Sequence, residues 1–128
     1  MYIYLHKIVL YVPKTCKMNI ENAQAQMRKG VLEYCILSIL NNGEAYPSDI
    51  MQMLKDAKLI VVEGTLYPLL TRLKNAGLLD YRWEESHSGP PRKYYRLTEN
   101  GVRFMNELDQ TWRELADAVA FTTKKSKS

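Results

Sequence analysis

The chain has 128 residues, 46% hydrophobic and 25% charged, which suits one globular domain able to bury a real core. No apolar run approaches the ~18 residues of a membrane span, and two cysteines, Cys16 and Cys35, make no disulfide framework, so a reducing cytoplasm is the expected home. The net charge of +4 sits at the ends: six of the 18 basic residues are Lys7, Lys14, Lys17, Lys124, Lys125 and Lys127, and residues 18–123 keep 12 basic against 14 acidic, a charge of −2.

Residues 1–17 are apolar and Tyr-rich, with His6, Lys7 and Pro13 interrupting. They lack the positive start and small-residue cleavage site of a signal peptide. Met18 opens a polar stretch and is read as the true translation start, which makes 1–17 an artefact of the gene model. The alternative is a real extra strand or arm, and an intact mass of the native protein separates the two.

Ile20 to Arg28 can form a helix that Gly30 weakens without having to break. A second helix is expected over Val31 to Leu40, where Val31, Leu32, Cys35, Ile36, Ile39 and Leu40 make a broad apolar stripe. Cys35 is expected as a buried thiol. Asn41-Asn42-Gly43 ends that helix. Pro47, Ser48 and Asp49 open the next, packed through Ile50, Met51, Met53 and Leu54 and ending at Lys55 to Lys58. Leu59 to Val62 is a connector.

Glu63 or Gly64 starts a fourth helix. Leu66, Leu69, Leu70 and Leu73 share one buried face. Pro68, Thr71, Arg72 and Asn75 lie opposite, flanked by Thr65 and Tyr67. Pro68 should fall near the first turn, because deeper in it would clash with the preceding turn. Gly77 closes the helix. Leu79, Tyr81 and Trp83 then alternate with Asp80, Arg82 and Glu84, the pattern of a half-buried strand. Ser86 to Pro91 is the turn, and Lys93 to Leu97 returns.

Thr98 is an N-cap, with Glu99 in the first turn of a long helix running to about Phe121. Val102, Met105, Leu108, Trp112, Leu115 and Val119 recur every three or four residues, the seam of helices that pack along one another. Lys124 to Ser128 reads as a disordered tail.

The order of helix, hairpin and basic loop tip gives a mainly α fold with a small β-hairpin. It is a winged helix-turn-helix, residues 18–98, with dimerisation helices at both ends, the last over 99–123. No catalytic set emerges. His6 and His87 lie far from both cysteines without metal-ligand spacing, and no phosphate-binding Gly loop is present. The expectation is a protein that is no enzyme and needs neither metal nor cofactor.

The helix over 63–77 can be a core helix only, since its leucines are core under any reading. The functional claim rests on its outer face, where Thr65, Tyr67, Thr71 and Arg72 can donate to phosphates or base edges. Ser48 and Pro68 are grouped with that face. Glu63 argues mildly against phosphate there. From His87 to Leu97 there are Arg92, Lys93 and Arg96 and no acid. Strand alternation keeps the three from pointing one way. Arg92 and Lys93 are chosen as the DNA contacts, and Arg96 is left as structural.

Two motifs, Gly64-Thr65-Leu66-Tyr67-Pro68-Leu69-Leu70 and Arg92-Lys93-Tyr94-Tyr95-Arg96-Leu97-Thr98 followed by Glu99-Asn100-Gly101, resemble the PadR family of bacterial transcriptional regulators. The resemblance runs from about Asn19 to Phe121. It implies a homodimeric repressor of nearby genes that binds double-stranded operator DNA at an inverted repeat and is released by a small-molecule effector. In the multidrug-sensing branch of that family a Trp at similar spacing stacks on aromatic drugs between subunits, and Trp112 matches its place. An aromatic or hydrophobic effector is implied accordingly; the bland role of Trp112 is dimer packing. Two rival readings stand beside this one: a winged-helix protein–protein module without specific DNA binding, and a small-ligand carrier using the helix seam.

Overall fold

A computed structural model of the chain describes residues 2–5, 8–11, 19–59 and 63–124. Met18, Cys16, residues 60–62 of the connector and 125–128 of the tail lie outside the described residues, and with them the start-site reading and the expectation of a disordered tail. The chain divides into two units, Met1–Gly30 and Val31–Ser128. In the first, β1 (Tyr2–Leu5) pairs antiparallel with β2 (Ile8–Tyr11), Tyr2 opposite Tyr11 and Leu5 opposite Ile8.

The helices expected over Ile20–Arg28 and Val31–Leu40 are one element, α1 (Ile20–Asn41). Gly30 has open space around it. A single interior glycine costs only about 1 kcal/mol against alanine, too little to interrupt an otherwise continuous hydrogen-bond ladder. Asn19 accepts at the helix start from the Glu21 N–H at 2.9 Å.

The second unit continues with α2 (Pro47–Asp56), α3 (Glu63–Asn75), β3 (Leu79–Ser86), β4 (Gly89–Leu97) and α4 (Glu99–Thr122). Proline opens α2, where its missing N–H is not needed. Asp49 accepts from the Tyr46 N–H at 3.1 Å, the reverse half of a capping box. Leu32, Ile36, Leu37 and Leu40 of α1, Ile50 and Leu54 of α2, and Leu66, Leu70 and Leu73 of α3 bury against one another. Full burial of such a side chain is worth about 1.5–3 kcal/mol, so this cluster fixes α3 more firmly than any surface contact. Met53, expected among the packing residues of α2, is instead exposed. Cys35 is half-buried, and desolvation pushes its thiol up from the ordinary range.

Pro68 is the sixth residue of α3 rather than a first-turn residue. The carbonyl it leaves without a helical donor belongs to Gly64, which is exposed and where a Cβ would meet nothing within 4 Å among the described residues. Water can serve that carbonyl, and a glycine leaves it room to tilt away from the proline ring.

Both α2 and α3 end in the same device. Lys58 adopts φ +63° while Lys58 N donates to Lys55 O at 2.9 Å and Leu59 N to Leu54 O at 2.8 Å. Gly77 adopts φ +81° while Gly77 N donates to Lys74 O and Leu78 N to Leu73 O, each at 3.0 Å. These are Schellman caps, and Gly77 has the residue the left-handed position prefers.

The hairpin is longer than the sequence pattern implies and its turn tighter. Strand β3 pairs with β4 from Leu79 opposite Leu97 to Ser86 opposite Gly89, leaving His87 and Ser88 as the turn. The register shifts between Glu84 and Ser86, so Pro90 and Pro91 face only Glu85, a bulge that lets prolines sit in a strand with no ladder on their outer side. Ala45, ahead of α2, bridges Tyr95 with N–H···O bonds of 3.0 and 2.9 Å. That bridge ties the start of α2 to the wing.

Helix α4 starts where the sequence places it. Thr98 Oγ1 accepts from the Gly101 N–H at 3.0 Å and donates to Gly77 O at 2.7 Å, while Thr98 N donates to Leu78 O at 3.1 Å. Gly101 is buried, and a Cβ there would stand 2.1 Å from Leu78 O and 2.7 Å from a Leu97 methyl. A backbone oxygen cannot rotate away as a side chain can. Gly101→Ala should therefore destabilise the protein by about 3 kcal/mol and lower its melting temperature by roughly 10 °C. A melting curve within ~2 °C of the wild type would show that this turn yields freely.

Candidate nucleic-acid interface

The core orients α3. Burial of Leu66, Leu70 and Leu73 leaves Thr65, Tyr67, Pro68, Thr71, Arg72 and Asn75 exposed on the other side. Between this face, the start of α2 and the hairpin runs an open groove of about 350 Å³. It brings together Ser48, Tyr67, Thr71, Arg92 and Lys93 of the predicted DNA-binding residues. Thr65, Pro68 and Arg72 share the exposed helix but do not line the groove.

Four further residues line it: Tyr46, Pro47, Trp83 and Tyr95. Pro47 is legible only as a helix start. Tyr46 enters through the Ala45–Tyr95 bridge, a long-range pairing with no local signal. Trp83 follows the expected strand alternation, yet it is 61% exposed rather than half-buried. Leu79 is buried and Tyr81 half-buried on the same strand, so the strand runs outward past the body that covers its start. Tyr95 is buried, which pushes its phenol up, with the neighbouring Tyr81 and Tyr67 adding to the shift.

The cations of the wing and α3 divide into two sets, and Lys74, its ammonium 5.6 Å from the Tyr81 ring centre, belongs with those that meet a ring and no carboxylate among the described residues. Arg96 donates to Asp80 at 3.1 Å, and Arg96, with the Tyr81 N–H, holds the Asp80 carboxyl below its usual range. Arg82 pairs with Glu44 at 3.2 Å and with Glu84. Arg72 pairs with Glu33 of α1. Arg92 and Lys93 have no carboxylate partner among the described residues. Their charges rest on aromatic faces, Arg92 at 4.2 Å from the Tyr46 ring centre and Lys93 at 4.5 Å from that of Tyr81. The Tyr46 ring in turn packs on Tyr94 at 4.6 Å. Such contacts are worth about 0.5–1 kcal/mol at exposed sites, enough to hold a side chain in place while leaving its charge for an incoming anion. Ser48, Tyr67 and Thr71 add hydroxyl donors beside them. The groove thus offers cations and hydroxyl donors that suit a phosphate-bearing ligand.

A second surface lies on α4, where the predicted seam divides. Met105 is buried in the protomer's own core and Leu108 packs half-buried against it. Val102, Trp112, Leu115 and Val119 are exposed, as are Phe104 and Phe121, which the seam spacing did not include. Tyr34 of α1 donates its hydroxyl to Asp109 of α4, and that bond is the main reason its phenol titrates above its ordinary range. Among the described residues no His, Cys, Asp and Glu group could hold a metal ion. No described helix is long and apolar enough to cross a membrane.

A model of the PadR-like transcriptional regulator family matches residues 36–107. The chain belongs to that family. A PadR-like transcription factor from Bacteroides fragilis is 60% identical, with 80% of this chain and 99% of that chain covered and a TM-score of 0.67. A PadR family regulator from Eggerthella lenta is 34% identical over 84% of this chain and 94% of its own, TM-score 0.76. A PadR-like regulator from Bacillus cereus is 35% identical over 79% and 99%, TM-score 0.70. The mainly helical winged fold and the regulator class read from the two sequence motifs are those of this PadR protein.

Glu33 modifies what the PadR head can offer. The Arg72 side chain is 65% exposed, so its pair with Glu33 is worth at most about 1 kcal/mol. A phosphate can compete for it. Glu33→Gln should raise duplex affinity about threefold at low salt and steepen the dependence on salt by about one counterion. An unchanged slope in a salt titration by fluorescence anisotropy would mean that Arg72 takes no part.

Proposed function

We propose that this PadR protein is a dimeric repressor of nearby genes that grips an inverted-repeat operator with Ser48, Thr65, Tyr67, Pro68, Thr71, Arg72, Arg92 and Lys93. The observation that carries the reading is the charge sorting: two of the cations left without a carboxylate among the described residues, Arg92 and Lys93, line the same groove as the exposed hydroxyls of α3. Phosphate contacts from the wing fix register and supply affinity, while Tyr67 and Thr71 reach base edges. Thr65 and Pro68 contribute from the exposed face beside the groove.

Dimerisation is supported by the stripe of Trp112, Leu115 and Val119, three apolar side chains on one face of α4 that are 43%, 50% and 48% exposed. An isologous pair sets two α3 helices about one DNA turn (roughly 34 Å) apart, which makes the operator an inverted repeat. A small aromatic or hydrophobic effector bound against Trp112 shifts that spacing and releases the DNA. Cytoplasmic residence suits this role.

Tyr67→Ala and Arg92→Ala should each weaken operator binding about tenfold or more while the dimer persists by sedimentation, and Arg92→Ala should also reduce the salt slope by about one. Wild-type affinity in both removes the assignment of the groove. Trp112→Ala should loosen the dimer about tenfold or abolish any effector response; unchanged behaviour in both measurements would refute the role of that helix face.

A further inference from the structure

Trp83 is the most exposed aromatic side chain of the groove, and the operator contacts assigned above do not use it. We infer that Trp83 is a salt-independent DNA contact, an apolar ledge that packs on deoxyribose or a thymine methyl where the wing meets the duplex. The inference rests on the reading of the groove as the DNA-binding surface.

Four observations lead to it. Leu79, Tyr81 and Trp83 share one face of β3 by alternation, and exposure rises along it from 2% at Leu79 to 61% at Trp83. The indole is held in place: Tyr81 meets it edge-on at 6.0 Å and 86°, and Lys93, its cross-strand partner, lies 5.6 Å from its ring centre. The groove places it beside Arg92 and Lys93, for which no carboxylate serves as partner among the described residues. The neighbouring strand position, Arg82, is by contrast already neutralised by Glu44 and Glu84.

An occupant of this groove must carry negative charge for Arg92 and Lys93 and apolar surface for the indole. Duplex DNA offers both, because each phosphate is flanked by sugar hydrocarbon and the major-groove edge of thymine carries a methyl group. An acidic protein segment with apolar side chains would offer the same chemistry, but it would not need the hydroxyl row of Ser48, Tyr67 and Thr71. An apolar contact releases no counterions. Trp83 therefore differs from its cationic neighbours in a measurable way: it adds affinity without adding salt dependence.

The test is anisotropy of wild type, Trp83→Phe and Trp83→Ala on the duplex upstream of the protein's own gene, across a salt series. Trp83→Ala should bind about tenfold more weakly with the wild-type slope, and Trp83→Phe should stay within about threefold. Indole fluorescence should be quenched by the duplex in wild type and not in Trp83→Phe. Equal affinity of Trp83→Ala and wild type, with Tyr67→Ala still weakened, overturns the inference and leaves the reading of the groove standing. A slope reduced by one overturns it too, since the indole would then act only through Lys93. If wild type binds no duplex, the DNA reading of the groove falls and this contact with it. Exposure of Trp83 makes misfolding of the variants easy to check by their melting curves.

Discussion

Gly101 lets the first turn of α4 lie directly on the Leu78 carbonyl, at a spacing where a Cβ would come within 2.1 Å of that oxygen. The same few residues carry three other tasks. Gly77 closes α3, Leu78 leads into the wing, and Thr98 bonds to both while capping α4. Helix α3, the wing and the long terminal helix thus leave one small knot of backbone in fixed directions. On the proposed function this is what matters mechanically. A dimer built on α4 transmits its geometry to α3 through this joint, and a glycine is the residue that permits the approach. A rigid joint of this kind converts a small rotation at the dimer into mis-spaced heads.

The electrostatics follow a second economy. The protein between its lysine-rich ends carries a charge of −2, so affinity for a polyanion depends on where cations are left uncompensated. Arg82 and Arg96 are absorbed by Glu44, Glu84 and Asp80. Arg92 and Lys93 rest on Tyr46 and Tyr81. Ring faces hold a guanidinium or ammonium with less than the attraction of a phosphate in a partly dehydrated interface. Arg72 falls between the two sets, tied to Glu33 yet largely exposed.

Much of this was legible in the sequence because it is local. Leucine spacing placed the buried side of α3, Gly77 its end, Thr98 the start of α4, and distance from the wing tip set Arg96 apart from Arg92 and Lys93. What escaped was long-range. The Ala45–Tyr95 bridge joins residues fifty positions apart and brings Tyr46 to Arg92, which no window of sequence encodes. Trp83 reads as half-buried because alternation reports a face, not how far the body extends beneath it. The Glu33–Arg72 pair depends on how α1 and α3 cross. Pro68 was misplaced because the rule against interior proline takes no account of a glycine four residues earlier. The seam of α4 was found in its period but not in its division, since Met105 faces the protomer's own core.

The proposed function has the groove between α3 and the wing read a specific duplex. It is tested most directly by fluorescence anisotropy of the full-length protein against the DNA upstream of its own gene and against a scrambled duplex, each at two salt concentrations. Binding to the upstream duplex should be tight, weaken steeply with salt, and go unmatched by the scrambled duplex. Weak and equal binding to both would contradict it and would turn attention to protein partners of the wing.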